Sequence, residues 1–202
     1  MIVLAQHIID PVQNVRFFSG ETCKATRLSM TLADAALHVA CWQVVQIIQR
    51  AGYRAAIPSN QRYGGEHEWR HQLSFKKAGA LAGLGVIGRS QLLVHPEWGP
   101  WLWLRTVITE ASLPADAPLT FAPCEGCEAC LSACPTGALT KNGVDRQLCR
   151  VCVEAGLDSS TRWLSAHGHL HCEECWRACP VGTAPPRLQE VSAWLPERVE
   201  GR

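Results

Sequence analysis

Cys124-Glu-Gly-Cys127-Glu-Ala-Cys130-Leu-Ser-Ala-Cys134-Pro135 is the stretch whose reading decides the fold. Its spacing, C-x2-C-x2-C-x3-C-P, belongs to runs that wrap a 4Fe–4S cubane with the first three cysteines and give the fourth to a second cluster. Thiolates are soft, anionic ligands suited to iron, and three within seven residues close around one cube. The proline that follows removes a backbone donor and ends the turn. A second run, Cys172-Glu-Glu-Cys175-Trp-Arg-Ala-Cys179-Pro180, repeats the pattern without its leading cysteine. The segments Cys134-Pro-Thr-Gly-Ala and Cys179-Pro-Val-Gly-Thr lie 45 residues apart and read as a degenerate repeat.

The same rule sets the ligation. Cys124, Cys127 and Cys130 take Cys179 as their fourth ligand, while Cys134 joins Cys172 and Cys175 on the second cluster. That second set is one ligand short. Asp145-Arg-Gln-Leu-Cys149-Arg-Val-Cys152, between the runs, offers two candidates. Zinc is the competing reading, because Cys149-x2-Cys152 and Cys172-x2-Cys175, nineteen residues apart, also have four-cysteine zinc spacing. His167, His169 and His171 would be additional donors or simply a polar loop. The zinc reading leaves Cys134 and Cys179 idle although each precedes a proline, so cluster ligation accounts for more of the sequence. Cys23 and Cys41 stand apart and read as ordinary buried residues.

A chain of 202 residues with 47% hydrophobic side chains accommodates one large or two small domains with a real core. No stretch approaches the ~18 apolar residues of a membrane span. Met1-Ile-Val-Leu-Ala reads as a strand, not a signal peptide. Eleven cysteines in cluster spacing, without an export signal, argue for a reducing cytoplasm over a disulfide scaffold. The net charge of +1 divides unevenly: zero over residues 1–49, +5 over 50–105 and −4 over 106–202. Two oxidised clusters at about −2 each bring the loaded protein to roughly −3. This balance argues against nucleic acid as a high-affinity partner. The middle segment remains suited to one anionic ligand.

Pro114-Ala-Asp-Ala-Pro118 reads as a linker, giving an α/β domain over residues 1–113 and a cysteine-bearing domain over 119–202. The first domain opens with a strand over 2–9, ended by Asp10-Pro11. Thr31-Leu-Ala-Asp34 resembles a capping box that starts a helix running to about Arg50. Leu32, Ala36, Leu37, Ala40, Val44, Ile47 and Ile48 are expected on one face of it. Gly52 stops this helix. A strand over 53–57, a helix over 73–81 and a strand over 101–109 follow.

Gly83-Leu-Gly85-Val-Ile-Gly88 matches the dinucleotide fingerprint G-x-G-x-x-G, but its context does not. The fingerprint follows a strand, opens a helix and is answered by an acid about twenty residues on. Here Lys77-Ala-Gly-Ala-Leu-Ala82 is helical in character, and the position twenty on from Gly85 is Arg105. The remaining readings are a tightly packed turn, or bare backbone approached by another cofactor.

Ala82-Gly-Leu-Gly-Val-Ile-Gly88, Leu92-Leu93, His95-Pro-Glu-Trp-Gly99-Pro100 and the cysteine run together resemble the epoxyqueuosine reductases. Their relatives include reductive dehalogenases and other corrinoid iron–sulfur proteins. The similarity covers most of the chain and is strongest over residues 78–180. It implies a shortened cobalamin-binding, nitroreductase-like α/β domain followed by a ferredoxin-like two-cluster 4Fe–4S domain. It also implies that Gly83, Gly85, Gly88 and Arg89 contribute to a corrinoid site, and that Cys149, not Cys152, is the eighth cluster ligand. The chain reads as an N-terminally short member. The acidic proton donor of the epoxide reductases falls at Trp69, between Glu68 and Arg70, which points to the wider corrinoid group.

The function that follows is a corrinoid-dependent reductase with two 4Fe–4S clusters passing electrons to cobalamin. The protein supplies burial, orientation and a proton. Glu68 and Tyr63 are the proton-donor candidates, with Glu66, His67 and His71 beside them. Arg62, Arg70, Lys76 and Arg89 are candidates for the corrinoid phosphate. Trp98, Trp101 and Trp103 fit either a macrocycle face or the core of a strand. The substrate class is a small molecule or a modified nucleoside, with a separate electron-donor protein and no membrane. The alternative is a ferredoxin-like electron carrier without its own corrinoid, serving a partner enzyme.

Overall fold

The computed structural model describes residues 1–8, 14–19, 22–58, 73–149 and 174–183. Its centre is β7 (Leu102–Thr109), Leu-Trp-Leu-Arg-Thr-Val-Ile-Thr, whose aromatic and β-branched side chains suit a half-buried pleated surface. β1 (Ile2–His7) pairs antiparallel along one edge, from Ile2 opposite Val107 to His7 opposite Leu102. The two-residue β4 (Ala55–Ala56) pairs along the other, Ala55 opposite Thr109. The order β1-β7-β4 thus brings the start of the chain onto a strand a hundred residues later. A separate hairpin, β2 (Asn14–Ser19) with β3 (Thr22–Arg27), has no counterpart in the sequence-based reading.

One face of the sheet is covered by α1 (Leu28–Arg50). Ala33, Leu37, Cys41, Val45 and Ile48 are its buried positions, and Cys41, Val45 and Ile48 pack with the wholly buried Val107. Burying each Leu, Val or Ile contributes about 1.5–3 kcal/mol. The expected face is therefore rotated. Leu37, Ile48 and half-buried Val44 face inward as predicted, but Leu32 and Ile47 are 52% and 65% exposed. α1 is apolar on most sides, so apolarity alone does not select the packed stripe. Cys41 is fully buried as expected; the side chain of Cys23 lies outside the described residues.

The capping-box expectation is also corrected. α1 begins at Leu28, which places Asp34 within the helix instead of in its first turn. Its carboxylate accepts hydrogen bonds from Trp103 Nε1 at 2.7 Å and from Arg105 Nε at 3.0 Å, with Arg105 Nη2 on the same oxygen. Arg105 is 3% exposed, and Phe75 lies beneath its guanidinium, 5.9 Å from ring centroid to Cζ. A guanidinium so buried requires a paired anion. Burial acts to raise the Asp34 carboxyl, but the hydrogen bonds from Trp103 and Arg105 and the charge of Arg105 hold it below its ordinary value.

Beyond α1 the chain forms α2 (Phe75–Leu81), capped by the Ser74 hydroxyl accepting from the Lys77 amide. The hairpin of β5 (Val86–Ile87) and β6 (Leu93–Val94) follows and leads into β7. After the segment 110–120 come α3 (Ala129–Ser132), the hairpin of β8 (Leu139–Thr140) and β9 (Gly143–Val144), and the short helix Glu174–Arg177. Among the described residues, no helix is long and apolar enough to cross a membrane.

A candidate cluster site and the loops that abut it

The first cysteine run folds as a turn followed by α3. The Cys127 amide donates to the Cys124 carbonyl at 3.3 Å, and Gly126 takes a left-handed φ of +68° to close the turn. Cys130 lies in α3, and Cys134 follows it, its amide donating to Leu131 at 3.2 Å. Cys179 stands in the equivalent place after helix Glu174–Arg177, its amide donating to Trp176 at 3.2 Å.

The fold brings Cys179 back to the first run. Burial pushes the Cys130 thiol up, and the charges of Cys124, Cys127 and Cys179 push it further. Burial likewise raises Cys179, with Cys124 and Cys127 adding to it while the Val181 backbone opposes. Cys130 and Cys179 thus both lie within electrostatic reach of Cys124 and Cys127. None of the eight described cysteine side chains is in a disulfide. Among the described residues, no three His, Cys, Asp or Glu side chains close around a single-ion point.

Cys134 is environmentally distinct. Burial acts to raise its thiol, but the backbone of Leu139, Thr136 and Ala138 and the Thr136 hydroxyl outweigh this and hold it below its ordinary value. The Cys134-Pro-Thr-Gly-Ala-Leu139 loop therefore curls N–H groups around its own sulfur. Cys149 lies in a helical turn at whose start Asp145 Oδ1 accepts from the Gln147 and Leu148 amides at 2.9 and 3.0 Å. Cys175 is half-buried, within electrostatic reach of Lys76. Cys172 and Cys152 lie outside the described residues, as do His167, His169 and His171.

The glycine loop follows α2, not a strand, and runs into the β5–β6 hairpin, which removes the dinucleotide reading. Its glycines face the protein's own atoms. A β-carbon on Gly83 would stand 2.6 Å from the Ala117 carbonyl oxygen, in the linker. One on Gly85 would overlap the Val94 carbonyl. One on Gly88 would stand 2.9 Å from Val94 Cγ2 and 3.3 Å from Cys124 Sγ. Arg89 donates its amide to Cys124 Sγ at 3.4 Å and its Nε to the Cys124 carbonyl at 3.2 Å. The loop thus joins the linker, β6 and the first cluster cysteine.

The segment His95-Pro-Glu-Trp-Gly99-Pro100 closes on itself through reciprocal His95–Gly99 backbone bonds of 2.9 Å. His95 Nδ1 accepts from the Glu97 and Trp98 amides at 3.1 and 3.2 Å, so the ring carries its proton on Nε2 when neutral. Trp98 lies between His7 and His95, stacked at 5.0 and 4.3 Å. Burial lowers the affinity of both imidazoles for a second proton. Trp101 is 1% exposed, meets Trp176 edge-on at 5.5 Å and lies 5.4 Å from the Arg177 guanidinium carbon. Trp101 and Trp103 are therefore core and packing residues.

Tyr63, Glu66, His67, Glu68, Trp69, Arg70, His71 and Arg62 lie outside the described residues. Lys76 donates to the Gln91 carbonyl across the turn at which Gln91 takes φ +61°. Sequence reasoning missed the Arg89–Cys124 contact and the approach of Gly99 to Gly182. The second had a signal in the repeated Cys-Pro-x-Gly, whose glycines Gly137 and Gly182 both take left-handed φ, +66° and +77°.

No family model matches the chain. An epoxyqueuosine reductase of Synechococcus sp. is 40% identical over 101 residues, 49% of this chain and 31% of that protein. Those of Shewanella oneidensis and Gloeobacter violaceus are 31% and 34% identical over 114 and 124 residues, 54% and 57% of this chain and 29% and 39% of theirs. The chain thus spans under two fifths of the length of these curated relatives. A crystal structure of an epoxyqueuosine reductase with an epoxyqueuosine-modified tRNA-Tyr stem loop matches with a TM-score of 0.57 at 22% identity, covering 77% of this chain and 40% of that one. A selenomethionine-labelled epoxyqueuosine reductase gives 0.59 at 18% identity, over 92% and 49%. A catabolic reductive dehalogenase in complex with 3-bromo-4-hydroxybenzoic acid gives 0.50 at 21%, over 77% and 22%.

The exclusion of nucleic acid drawn from net charge is overturned by the tRNA complex, since a protein of this fold engages an RNA stem loop. A sum over the whole chain hides the local excess. Residues 50–105 carry +5, and a phosphate backbone meets a local basic surface, not a net charge. The chain is related in sequence to the epoxyqueuosine reductases over about half its length, and it shares the fold of these enzymes and of a reductive dehalogenase.

Proposed function

We propose that this chain is the cluster-bearing part of a corrinoid-dependent reductase, and that its substrate class is a modified nucleoside carried on RNA. The observation that carries the reading is the gathering of Cys124, Cys127, Cys130 and Cys179 from two segments some fifty residues apart. A ferredoxin-like module with crossed ligation requires that pairing. In this reading Cys134, Cys149, Cys172 and Cys175 hold the second cluster. The domain boundary falls within 114–118, between an α/β part and a cluster part.

When bound, the 4Fe–4S clusters supply single electrons, and cobalamin supplies a cobalt centre able to carry them to a substrate. The chain's own residues do the rest. The Cys-Pro loop after Cys134 aims backbone N–H groups at its sulfur and favours the thiolate, while at Cys179 the Val181 backbone only opposes the upward push of burial. Buried Trp101, just before β7, meets half-buried Trp176 edge-on and so packs the helix that bears Cys175 against the start of that strand. Glu68 and Tyr63 remain the proton-donor candidates. The +5 segment is suited to the phosphates of an RNA stem.

One observation favours a second reading, a carrier that serves a separate enzyme. The β-carbon sides of Gly83, Gly85 and Gly88 are all occupied by the chain itself. Anaerobic titration of the cluster-loaded chain with cobalamin separates the two. The reductase reading predicts a raised melting temperature and a cob(II)alamin spectrum that develops on reduction through the clusters. Unchanged melting, with clusters that still reduce, would establish the carrier.

A further inference from the structure

We infer that Gly88-Arg89 is a clamp that positions Cys124 and raises the reduction potential of the cluster this cysteine holds. The inference rests on the reading of Cys124 as a cluster ligand, and it gives Arg89 a role other than corrinoid-phosphate binding.

Three contacts converge. The Arg89 amide points at Cys124 Sγ, 3.4 Å away. The Arg89 Nε donates to the Cys124 carbonyl at 3.2 Å, fixing the backbone from which that sulfur hangs. Nη1 lies 3.8 Å from Glu128 Oε1, and Lys141 holds the same oxygen at 2.7 Å. Glu128 is the residue before α3, two positions from Cys130. The guanidinium thus links the Cys124 carbonyl to the Glu128 carboxylate at the start of α3. The Arg89 side chain is also two-thirds covered, at 33% exposure, with Nε and Nη1 both turned to protein oxygens.

Gly88 makes the amide contact possible. Its missing β-carbon would stand 2.9 Å from Val94 Cγ2 and 3.3 Å from the sulfur. The first of these is closer than real β-carbons come, so a side chain would lift the loop from Cys124.

The consequence for the cluster follows from charge. Reduction adds one electron and breaks no bond, and the added negative charge spreads onto the thiolate sulfurs. An N–H donor on a sulfur stabilises that more negative state, and a guanidinium held on the same cysteine's carbonyl adds positive charge nearby. Hydrogen bonds to the sulfurs are among the determinants of cluster potential, and outer partners of this kind orient and tune ligands generally.

The test is a potentiometric titration, followed by electron paramagnetic resonance, of the anaerobically loaded full chain and its Arg89→Gln, Arg89→Lys and Gly88→Ala variants. Arg89→Gln and Gly88→Ala are expected to lower one of the two couples by about tenfold in the reduction equilibrium, ~59 mV for one electron. The other couple stays in place. Arg89→Lys, which keeps the charge but not the fork, is expected to give a smaller shift in the same direction. A variant that assembles only the other cluster, with about half the iron, also supports the clamp. Both couples unmoved in all three variants overturns it, as does an equal shift of both. Unmoved couples with weakened cobalamin binding in Arg89→Gln would return Arg89 to the corrinoid. A wild-type chain that assembles no cluster would instead sink the underlying cluster reading.

Discussion

Gly99 and Gly182 meet backbone to backbone: a β-carbon on Gly99 would overlap the Val181 carbonyl, and one on Gly182 would stand 2.5 Å from the Trp98 carbonyl oxygen. Both residues have left-handed φ, +61° and +77°. The contact fastens the segment after Cys179 to the His95–Pro100 turn, and hence to the strand beneath it.

Gly99→Ala is therefore expected to destabilise the chain by about 2–4 kcal/mol, combining overpacking with a left-handed alanine. Chemical denaturation of the loaded protein would measure it. The iron bound through Cys179 should be lost first, because the docking of that segment fails. A fully loaded, equally stable Gly99→Ala protein would show that the contact is dispensable.

The Asp34–Arg105 pair makes a separable prediction. Asp34→Ala leaves a guanidinium that is 3% exposed without its anion, and about 3–5 kcal/mol of stability should go with it. The pair also sets a pH dependence. The Asp34 carboxyl is held below its ordinary value in the folded chain. Its contribution is fully present above the unfolded carboxyl's pKa and is lost as the pH falls through the lower, folded one. Denaturant midpoints of wild type and Asp34→Asn, compared between neutral and strongly acidic pH, should converge on the acidic side. A constant gap would disprove the assignment.

Crossed ligation distinguishes cysteines that composition does not. Cys179→Ser should remove the iron held with Cys124, Cys127 and Cys130, about half the total, while leaving the cluster of its sequence neighbours Cys172 and Cys175. Cys41→Ala, at a fully buried position in the α1–β7 core, should cost about 1 kcal/mol in stability and no iron. Iron analysis with resonance Raman of the remaining cluster would check both.

Much of this was legible in the sequence for a physical reason. Cysteine spacing of the kind a cluster's size imposes links Cys124, Cys127 and Cys130 to Cys179 in the sequence, and the fold brings the four within electrostatic reach. β7 and α2 were legible from local pattern within a few residues. The packed face of α1 was not, because a helix with Leu32, Val39, Trp42 and Ile47 on its exposed side carries little periodic contrast. The role of Asp34 was misread because an acid three residues after Thr31 imitates a cap, while its partner Arg105 is distant in sequence. The β1–β7 pairing and the Gly99–Gly182 contact are equally non-local. The glycine loop was read toward a ligand. Its β-carbon sides face Ala117, Val94 and Cys124, which fits the packed-turn reading, since local sequence states that something approaches a glycine but not what.

The proposed metal content of this chain is two 4Fe–4S clusters held through eight cysteines of two interlocked sets. Its most direct test is the iron, acid-labile sulfide and zinc content of the anaerobically purified chain. The account predicts about eight iron and eight sulfide per chain, with no stoichiometric zinc. About four iron with one zinc, or zinc alone without sulfide, would contradict it and establish a zinc ribbon around Cys149, Cys152, Cys172 and Cys175.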